Sequence, residues 1–355
     1  ILITGINGFI AETLIPKLIR HYELYGLDIR PPAFHVSGRL PIGSFVQCDM
    51  TDKNIISYVK RRIPRLDAVI HLAAHRTYPE ESVASYVKRN IVGTKNLYQL
   101  AVATKARRFI FASSIEAAVP ATNSVVNEES PPNRFTRNPH ARAKVISEMQ
   151  LQTLANNHKP NITILRMCGI FDEWSNFPPL TRFINQWVQS YPYGYLVPGL
   201  GRTSMPYLHV AEVVTILKLI LDNECFLPNC HCLLAAPNGS TRHYDLFVQI
   251  KKFLNQDHRP IYLNPDKLLY SVWPRLEHMV SNLSMEKLPG EELGMQPIDQ
   301  ALIADSEATQ KILKWQPSEK LSLAQVLPTI LTNHQNNLLK WKIEEANRNA
   351  TQIYF

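Results

Sequence analysis

A glycine-containing turn close to the start of the chain constrains the fold more than any other feature. Residues 1–3 are apolar and predict a buried strand, and a helical pattern of apolar residues follows as far as Leu18. Between them, Gly5 permits a tight turn, Gly8 lets a diphosphate approach the backbone, and Ala11 is small enough for helix and strand to pack closely. The start of the helix adds N–H donors and the positive end of its dipole. The turn therefore predicts a dinucleotide-binding site.

An acidic residue follows at the distance that such a site requires. Asp28 lies about twenty residues after the turn, at the end of a second predicted strand over residues 23–27. A carboxylate in this place accepts hydrogen bonds from a ribose diol and repels a 2′-phosphate, whereas Arg30, two residues later, weakens that selectivity. We therefore expect NAD as the cofactor in preference to NADP.

Short apolar runs alternate with longer amphipathic stretches over the first two hundred residues. The apolar runs predict strands over residues 1–3, 23–27, 44–46, 68–70, 108–112 and 162–165. Helices are expected between them, the longest over residues 82–104 and 139–156. Strands that alternate with helices predict an α/β fold with a doubly wound, Rossmann-type parallel sheet. Its ligand crevice is expected at the carboxyl ends of the strands.

The alternation breaks after Arg166, where prolines and aromatic residues become dense. A further predicted helix and strand return to the core sheet between residues 205 and 235. We therefore expect a dinucleotide-binding core of residues 1–168, completed by the return segment 205–235. Residues 169–204 and 236–355 are expected to form a smaller, mostly helical lobe on the substrate side.

Composition excludes several classes of protein. The formal net charge of +8 is spread over predicted helix ends, without aromatic residues among the basic ones, so we expect no nucleic-acid partner. The longest apolar runs, such as residues 213–221, are far shorter than the roughly 18 residues that span a bilayer, so we expect no membrane partner. Five cysteines are too few for a disulfide framework and indicate a reducing, cytoplasmic location.

Three of these cysteines invite a comparison with zinc sites. Cys225, Cys230 and Cys232 lie close together in the sequence, with His231 among them. Their Cys-x4-Cys-x-Cys spacing matches no common structural zinc site. We therefore expect buried thiols there and no metal centre.

Several segments, taken in order along the chain, resemble the short-chain dehydrogenase/reductase superfamily in its extended, epimerase/dehydratase-like branch. The turn over residues 4–11 is similar to the TGxxGxxG/A motif of that superfamily. Further similar segments are residues 48–52, 71–74, 90–94, 113–114, 207–212 and 315–317. The resemblance covers nearly the whole chain and implies the fold predicted above, although it does not single out one reaction.

The resemblance also implies roles for individual residues. Cofactor contacts are implied for Gly5, Asn7, Gly8, Phe9, Ile10, Asp28, Asp49, Met50, Leu72, Ala73, Ala74, Asn90, Ser113 and Lys144. Ser114 is implied as the hydroxyl that orients the substrate, and Lys144 as the group that binds the nicotinamide ribose. Dimers of the superfamily pair through a bundle that contains the equivalent of the 139–156 helix, so the resemblance implies a possible homodimer.

One departure from the superfamily's pattern falls on its central acid/base. The superfamily carries a Tyr four residues before the Lys, so that both side chains lie on one face of a helix, one turn apart. At the matching place this chain has His140 before Lys144, and none of its fourteen tyrosines has a Lys four residues later. The usual proton donor is therefore absent.

Three interpretations of this departure remain open. In the first, His140 acts as the acid/base, which the ordinary imidazole pKa near 6.5 allows, with the charge of Lys144 favouring the neutral ring. In the second, the chain binds the dinucleotide without turnover and works as a sensor or scaffold. In the third, Ser114, Glu116 or Cys168 carries the chemistry beside a resident NAD.

The residues that contact the substrate are less clearly marked. Nucleotide-sugar members of the branch carry an Arg where this chain has Met205 and Pro206, which argues against a UDP-sugar. The candidates for substrate contacts are Arg166, Arg182, Arg202 and Tyr207, because guanidinium groups bind anions and aromatic rings line apolar pockets. We expect an oxidoreductase or epimerase that acts on a small hydroxy or keto compound, or alternatively a catalytically lapsed dinucleotide-binding protein.

Overall fold

Strands and helices alternate through the first half of the chain in the computed structural model. The strands are β1 (Leu2–Thr4), β2 (Tyr25–Asp28), β3 (Phe45–Gln47), β4 (Ala68–His71), β5 (Arg108–Ser114), β6 (Val125–Val126), β7 (Asn161–Met167), β8 (Gly169–Phe171), β9 (Leu196–Pro198), β10 (Ser204–Met205), β11 (Tyr207–His209), β12 (Cys230–Ala235), β13 (Thr241–Arg242), β14 (Ile261–Leu263) and β15 (Ile303–Ala304). The helices are α1 (Phe9–Leu18), α2 (Phe34–Ser37), α3 (Ile55–Arg62), α4 (Val83–Ala103), α5 (Pro139–Leu154), α6 (Pro178–Trp187), α7 (Val210–Asp222), α8 (His243–Phe253), α9 (Glu307–Leu313) and α10 (Leu323–Asn336). The structure describes residues 1–41, 43–74, 83–120, 124–136, 138–155, 160–198, 201–222, 230–263, 301–338 and 340–341.

Seven strands form one parallel sheet in the order β3-β2-β1-β4-β5-β7-β12. Successive strands are added outward from β1, first in one direction and then in the other, so the switch point lies between β1 and β4. At this point Thr4 lies opposite Leu27 of β2 and His71 of β4. The predicted doubly wound parallel sheet is confirmed, and the carboxyl ends of its central strands meet at one edge.

Helices cover both faces of this sheet. Leu2 belongs to a buried cluster with Leu97 of α4, whereas its neighbour Ile3 belongs to a second cluster with Leu14 of α1 and Val213 of α7. Consecutive residues of a strand point to opposite faces, so each central strand contributes to both clusters. Burial on both faces explains why these strands are continuous apolar runs.

The return segment joins the same sheet. Strand β12 pairs in parallel with β7, with Cys230 opposite Ile162 and Ala235 opposite Met167. Helix α7 packs beside α1. The strand and helix expected between residues 205 and 235 therefore extend the core sheet and its helical layer.

A third buried cluster lies beyond the sheet. It contains Trp187 of α6, Phe247 of α8 and Leu327 of α10, together with Phe171 and Tyr207 from two short strands. Those strands, β8 and β11, pair in parallel as a separate sheet. Periodicity did not predict this pair, because three residues are too few to establish an alternating pattern. No helix within the described ranges has the length and apolarity to cross a membrane.

Candidate functional site

The glycine turn lies at the end of β1, directly before α1. Gly5 has a φ of +67°, and its N–H donates to the carbonyl of Leu27 at 2.8 Å. A Cβ at this position would lie 2.8 Å from the backbone N of Ala73, so a side chain is excluded on both conformational and steric grounds. Gly8 caps α1 in an extended conformation without a side chain. The turn therefore presents bare backbone at a helix N-terminus, which fits a diphosphate.

Asp28 lies at the end of β2 beside this turn. Its carboxylate is only 4% exposed and accepts the backbone N–H groups of Asn7 and Arg30, each at 3.1 Å. The guanidinium Nε of Arg30 lies 3.7 Å from the same carboxylate. A carboxylate oxygen accepts more than one hydrogen bond, so this placement is compatible with a ribose diol, and the contact stays a prediction.

The side chain of Asn7 organises the loop that follows β2. Its Nδ2 donates to the carbonyl of Pro31 at 3.0 Å, and its Oδ1 accepts the N–H of Ala33 at 2.8 Å. A cavity of about 480 Å³ opens between these residues, lined by Asn7, Ile29, Arg30, Pro31 and Ala33. Asn7 was predicted to contact the cofactor. In the structure its side chain forms hydrogen bonds to the backbone of Pro31 and Ala33 in the wall of this cavity. Ile29 and Arg30, which directly follow Asp28 in the chain, contribute to its lining.

His71 links the central strands below the turn. Its Nδ1 lies 2.9 Å from Oγ1 of Thr4, and its Nε2 lies 3.1 Å from Oγ1 of Thr94 on α4. Complete burial, and then the charge of Lys144, lowers the pKa of His71 to about 3. His71 therefore stays neutral and serves as a cross-link, not as a proton carrier.

Residues 72–74 follow β4 at the same edge. The N–H of Ala73 donates to Thr4 at 3.3 Å, which holds this segment against the turn. Leu72 and Ala73 thus lie next to Gly5, and the cofactor contacts implied for Leu72, Ala73 and Ala74 stay predictions.

The segment after β3 packs on α4. Asp49 accepts the N–H and the hydroxyl of Thr51 at 2.8 and 2.9 Å. A Cβ on Gly93 of α4 would lie 2.5 Å from Cγ of Met50, so α4 approaches this segment closely. Asp49 and Met50 therefore lie one strand beyond Asp28, on the side of the sheet expected for the adenine ring.

Two consecutive serines at the end of β5 have different environments. Ser113 is buried and donates to the carboxylate of Glu148. This is a correction: Ser113 was implied to bind the cofactor, and its hydroxyl is instead directed into the core. Ser114 is half-buried, and its Oγ accepts the N–H of Glu116 at 3.2 Å as the cap of a short 3-10 turn. Ser114 is therefore the hydroxyl that the end of β5 presents.

Lys144 and His140 lie one turn apart on α5. Lys144 is 8% exposed, and its Nζ donates to the carbonyl of Ala112 on β5 at 2.6 Å. Asn138 caps the helix by accepting the N–H of His140 at 2.9 Å, and its Nδ2 donates to Glu116 at 2.9 Å. These contacts bring the predicted catalytic residues of β5 and α5 to one side of the sheet.

A contact between α4 and His140 was not predicted from the sequence. The hydroxyl of Tyr86 lies 3.1 Å from Nδ1 of the His140 ring. Asn90, one turn later on α4, donates from Nδ2 to the carbonyl of Tyr86 at 3.1 Å. The i, i+4 spacing of Tyr86 and Asn90 is a sequence signal that both face the site.

Glu116 and Cys168, which the third interpretation named as alternative catalytic groups, differ in their environments. Burial raises the pKa of Glu116 to about 7, so this carboxyl group is partly protonated near neutral pH. Burial also raises the pKa of Cys168 far above neutrality, so its thiol stays protonated. Glu116 remains a candidate acid/base, whereas Cys168 does not fit the role of a reacting thiolate.

Arg166 requires a correction. Its guanidinium donates to Glu148 from Nε at 3.2 Å and from Nη2 at 2.7 Å, and from Nη1 to the carbonyl of Ser130 at 2.6 Å. It is 2% exposed. The predicted substrate contact is therefore replaced by a buried ion pair that ties β7 to α5.

The other predicted substrate residues fall into two groups. Tyr207 is buried, and its hydroxyl lies 3.3 Å from Nε2 of His243 in the cluster beyond the sheet. Arg182 on α6 and Arg202, just before β10, are exposed. The structure thus gives Tyr207 a packing role and leaves the two arginines as predictions.

Two distant segments that resemble the superfamily meet at Glu212. This buried carboxylate on α7 accepts Nε1 of Trp315 at 2.7 Å and the N–H of Ser318 at 3.0 Å. The structural contact at Glu212 therefore explains why the chain carries both segments, and no catalytic role is assigned to them.

The described residues contain no group of three or more His, Cys, Asp or Glu side chains placed to hold a metal ion. Cys230 and Cys232 are half-buried on β12, and burial raises the pKa of their thiols to about 11 and about 12. Cys225 lies outside the described residues.

A parallel doubly wound sheet with a glycine turn after β1, a buried carboxylate after β2 and a lysine on α5 defines an oxidoreductase fold of the dinucleotide-binding class. The chain belongs to the NAD-dependent epimerase/dehydratase family, whose model matches residues 1–228. The resemblance to the extended branch of the superfamily is thereby confirmed, and so is the expectation of NAD as the cofactor, which the family's description names.

Named relatives agree with this assignment. The chain is 24% identical over 234 residues to dTDP-D-glucose 4,6-dehydratase of Mus musculus, an alignment that covers 62% of this chain and 64% of the mouse protein. It is 25% identical over 240 residues to dTDP-glucose 4,6-dehydratase of Streptomyces niveus, covering 62% and 68% of the two chains. The chain thus spans slightly less than two thirds of the mouse relative.

Solved structures are similar over almost the whole chain. UDP-glucose 4-epimerase of Thermotoga maritima, solved with UDP-glucose, has a TM-score of 0.70 at 20% identity, covering 95% of this chain and 99% of its own. dTDP-glucose 4,6-dehydratase of Streptomyces venezuelae, solved with NAD and TYD, has a TM-score of 0.70 at 17% identity, covering 97% and 99%. At these identities the likeness establishes the fold. The expectation of a substrate other than a UDP-sugar finds no support in these comparisons.

Proposed function

We propose that this chain is an NAD-dependent oxidoreductase or epimerase that acts on a secondary hydroxyl or keto group, with His140 as its acid/base. The observation that carries the proposal is the placement of His140 and Lys144 one turn apart on α5, with Lys144 bonded to Ala112 beside Ser114. This placement supports a site in which a proton carrier, a cation and an orienting hydroxyl act together at the carboxyl edge of the sheet.

Residues along the carboxyl edge of the sheet bind successive parts of the cofactor. The backbone of the turn from Gly5 to Gly8 binds the diphosphate, and Asp28 accepts the hydroxyls of the adenosine ribose. Lys144 binds the nicotinamide ribose. When bound, NAD supplies the acceptor and donor of hydride.

The remaining side chains handle the proton. Ser114 orients the oxygen of the reacting carbon by a hydrogen bond. His140 takes the proton of the hydroxyl as hydride leaves the carbon, and returns a proton when the keto group is reduced. Glu116 is an alternative acid/base, because its pKa of about 7 suits proton exchange near neutrality.

For the substrate, we propose a small hydroxy or keto compound. Met205 and Pro206 occupy the place of the arginine found in nucleotide-sugar members, and Arg166 is bonded within the core, which removes one candidate for an anionic substrate group. The relatives carry the names of dTDP-glucose dehydratases, so dTDP-glucose and UDP-glucose are the alternative substrates to test.

A second candidate is a non-catalytic dinucleotide-binding protein on the same fold. The observation that favours it is the imidazole of His140 in the place of the phenol. This candidate keeps the turn, Asp28 and Lys144 for binding and assigns no proton transfer to His140.

One set of measurements separates the two candidates. Titration calorimetry with NAD and NADP tests their common basis, and no heat with either would overturn both. The wild type, His140→Ala, His140→Tyr and Glu116→Gln are then assayed for hydride transfer with alcohols, ketones and the two sugar nucleotides. Wild-type turnover that is lost in His140→Ala supports the enzyme. Turnover only in His140→Tyr supports the lapsed protein, and loss only in Glu116→Gln transfers the acid/base role to Glu116.

We further propose that the protein is cytoplasmic and forms a homodimer through a helix bundle that contains α5, as the resemblance implies. Neither a nucleic acid nor a membrane is part of the proposal. Light scattering after gel filtration, at several protein concentrations, measures the oligomeric state directly.

A further inference from the structure

Tyr86, on a second helix, contacts His140 and belongs to none of the motifs recognised in the sequence. The hydroxyl of Tyr86 lies 3.1 Å from Nδ1 of the imidazole, across the contact between α4 and α5. The two residues are 54 positions apart in the chain. A tyrosine hydroxyl thus reaches the acid/base position from α4, where α5 itself has lost its tyrosine.

Tyr86 is rigidly placed. It is 1% exposed and belongs to a buried cluster with Val87 and Ala143, against which Ile91 and Ile146 pack. Asn90 bonds the carbonyl of Tyr86 on the same face of α4. A ring packed in this way fixes the position of its hydroxyl, so the imidazole that contacts it is fixed as well.

We propose that Tyr86 is a positioning residue, which accepts a hydrogen bond from Nδ1–H of His140 and so directs proton exchange to Nε2. The inference rests on the proposed acid/base role of His140. In neutral imidazole only one ring nitrogen carries hydrogen, and the Tyr86 hydroxyl can either accept from Nδ1–H or donate to a bare Nδ1. We assign the first arrangement, because the proposed function requires a basic Nε2. A proton on Nδ1 leaves Nε2 as the basic nitrogen that removes the proton of a substrate hydroxyl.

The bond to Tyr86 persists through the reaction cycle. As Nε2 gains the proton of the substrate, the ring becomes an imidazolium, and Nδ1–H still donates to Tyr86. When Nε2 returns the proton to a substrate oxygen, the neutral ring regains its original tautomer. Tyr86 keeps its own proton throughout, because the exchange moves a proton only between the substrate oxygen and Nε2. The arrangement follows the general rule that a catalytic base is oriented by a third group.

Tyr86→Phe tests the proposal, because it keeps the ring in the cluster and removes only the hydroxyl. Tyr98→Phe is the matched control: Tyr98 lies on the same helix, is 3% exposed, and donates from its hydroxyl to the carbonyl of Leu154 on α5 at 3.4 Å. Both variants lose one buried hydroxyl between α4 and α5, but only one of them contacts His140.

Nitrogen chemical shifts of His140, assigned with His140→Ala, give a readout that does not depend on turnover. We expect the Nδ1–H tautomer in the wild type and in Tyr98→Phe, and a mixture of tautomers in Tyr86→Phe. An Nε2–H tautomer in the wild type, or identical shifts in the wild type and Tyr86→Phe, would overturn the proposal.

Kinetics give the second readout. We expect Tyr86→Phe to lower kcat by about tenfold or more, with the KM for NAD unchanged and the pH profile of kcat displaced. In the His140→Tyr background, Tyr86→Phe is expected to have no such effect, because the residue at position 140 then has no imidazole to orient. An equal loss in both backgrounds would show a purely structural role and overturn the proposal. If the wild type turns over no substrate, the proposed function fails, and the tautomer measurement still decides whether Tyr86 orients the ring.

Discussion

Lys144 donates from Nζ to the carbonyl oxygen of Ala112 at 2.6 Å, and this bond fixes helix α5 to strand β5. The ammonium also lies 4.9 Å from the centroid of the Phe111 ring. Ala112 precedes Ser114 by two residues, so the bond anchors the Lys144 side chain near the end of β5.

We expect Lys144→Met to weaken NAD binding by about tenfold or more and to abolish hydride transfer. Methionine preserves the apolar length of the side chain, so the loss is attributable to the missing donors and charge. Calorimetry with NAD measures the affinity, and the thermal midpoint checks that the fold is retained. Lys218→Met is the control, because Lys218 is half-buried on α7 with a side chain that is 42% exposed, and it pairs only with Asp222 at 2.9 Å among the contacts described for it. Equal NAD affinity in wild type and Lys144→Met would refute the assignment.

Gly5→Ala is expected to abolish NAD binding and to lower the thermal midpoint. The φ of +67° costs a side chain about 1–2 kcal/mol, and the new Cβ would lie 2.8 Å from the backbone of Ala73. The matched control is Gly43→Ala, where φ is +90° and no atom lies within 4 Å of the new Cβ. We expect the control to lose only the conformational part of the stability and to bind NAD normally. Similar NAD affinities in the two variants would contradict the role of Gly5.

Glu116→Gln is expected to change how stability depends on pH. Burial raises the pKa of Glu116 from 4.5 to about 7, so between these values the native protein keeps a proton that the unfolded chain has released. The stability of the wild type therefore falls as the pH rises through this window, and the glutamine variant lacks that fall. We expect the free energy of unfolding of the variant, relative to wild type, to increase by about 1–3 kcal/mol from pH 4.5 to pH 7 and to stay level above it.

Urea denaturation at a series of pH values provides this measurement. Glu129→Gln is the control, because Glu129 is exposed three residues after β6. A difference between Glu116→Gln and wild type that is constant over the whole pH range would mean that Glu116 has the same pKa in the native and the unfolded protein.

The parts of the site that the sequence predicted share one property: they depend on short spacing. The turn from Gly5 to Gly8 and the i, i+4 pair of His140 and Lys144 are fixed by local geometry, because a turn or a helix places such residues wherever it occurs. Asp28 follows from the pattern of one strand and one helix. Local rules of this kind also identified the parallel sheet, whose buried strands are continuous apolar runs.

Contacts between distant segments were not predictable in the same way. Tyr86 meets His140 across 54 residues and Glu212 meets Trp315 across 103, and both contacts depend on how helices pack. Arg166 was assigned to the substrate because its residue type binds anions, but residue type does not reveal burial. Arg166 instead pairs with Glu148, which lies on α5, so the sequence around Arg166 did not indicate this contact.

Arg166→Met tests that corrected assignment. The pair of Arg166 and Glu148 has side chains 3% and 0% exposed, so removal of the guanidinium leaves a buried carboxylate without its cation. We expect a loss of about 3–5 kcal/mol in the free energy of unfolding, measured in urea, with NAD affinity and KM unchanged in the folded protein. Replacing both residues by Met is expected to cost less than the sum of the two single substitutions, because no unpaired charge remains buried. If Arg166 contacted a substrate instead, its substitution would raise KM and leave most of the stability intact, and the double substitution would show no coupling.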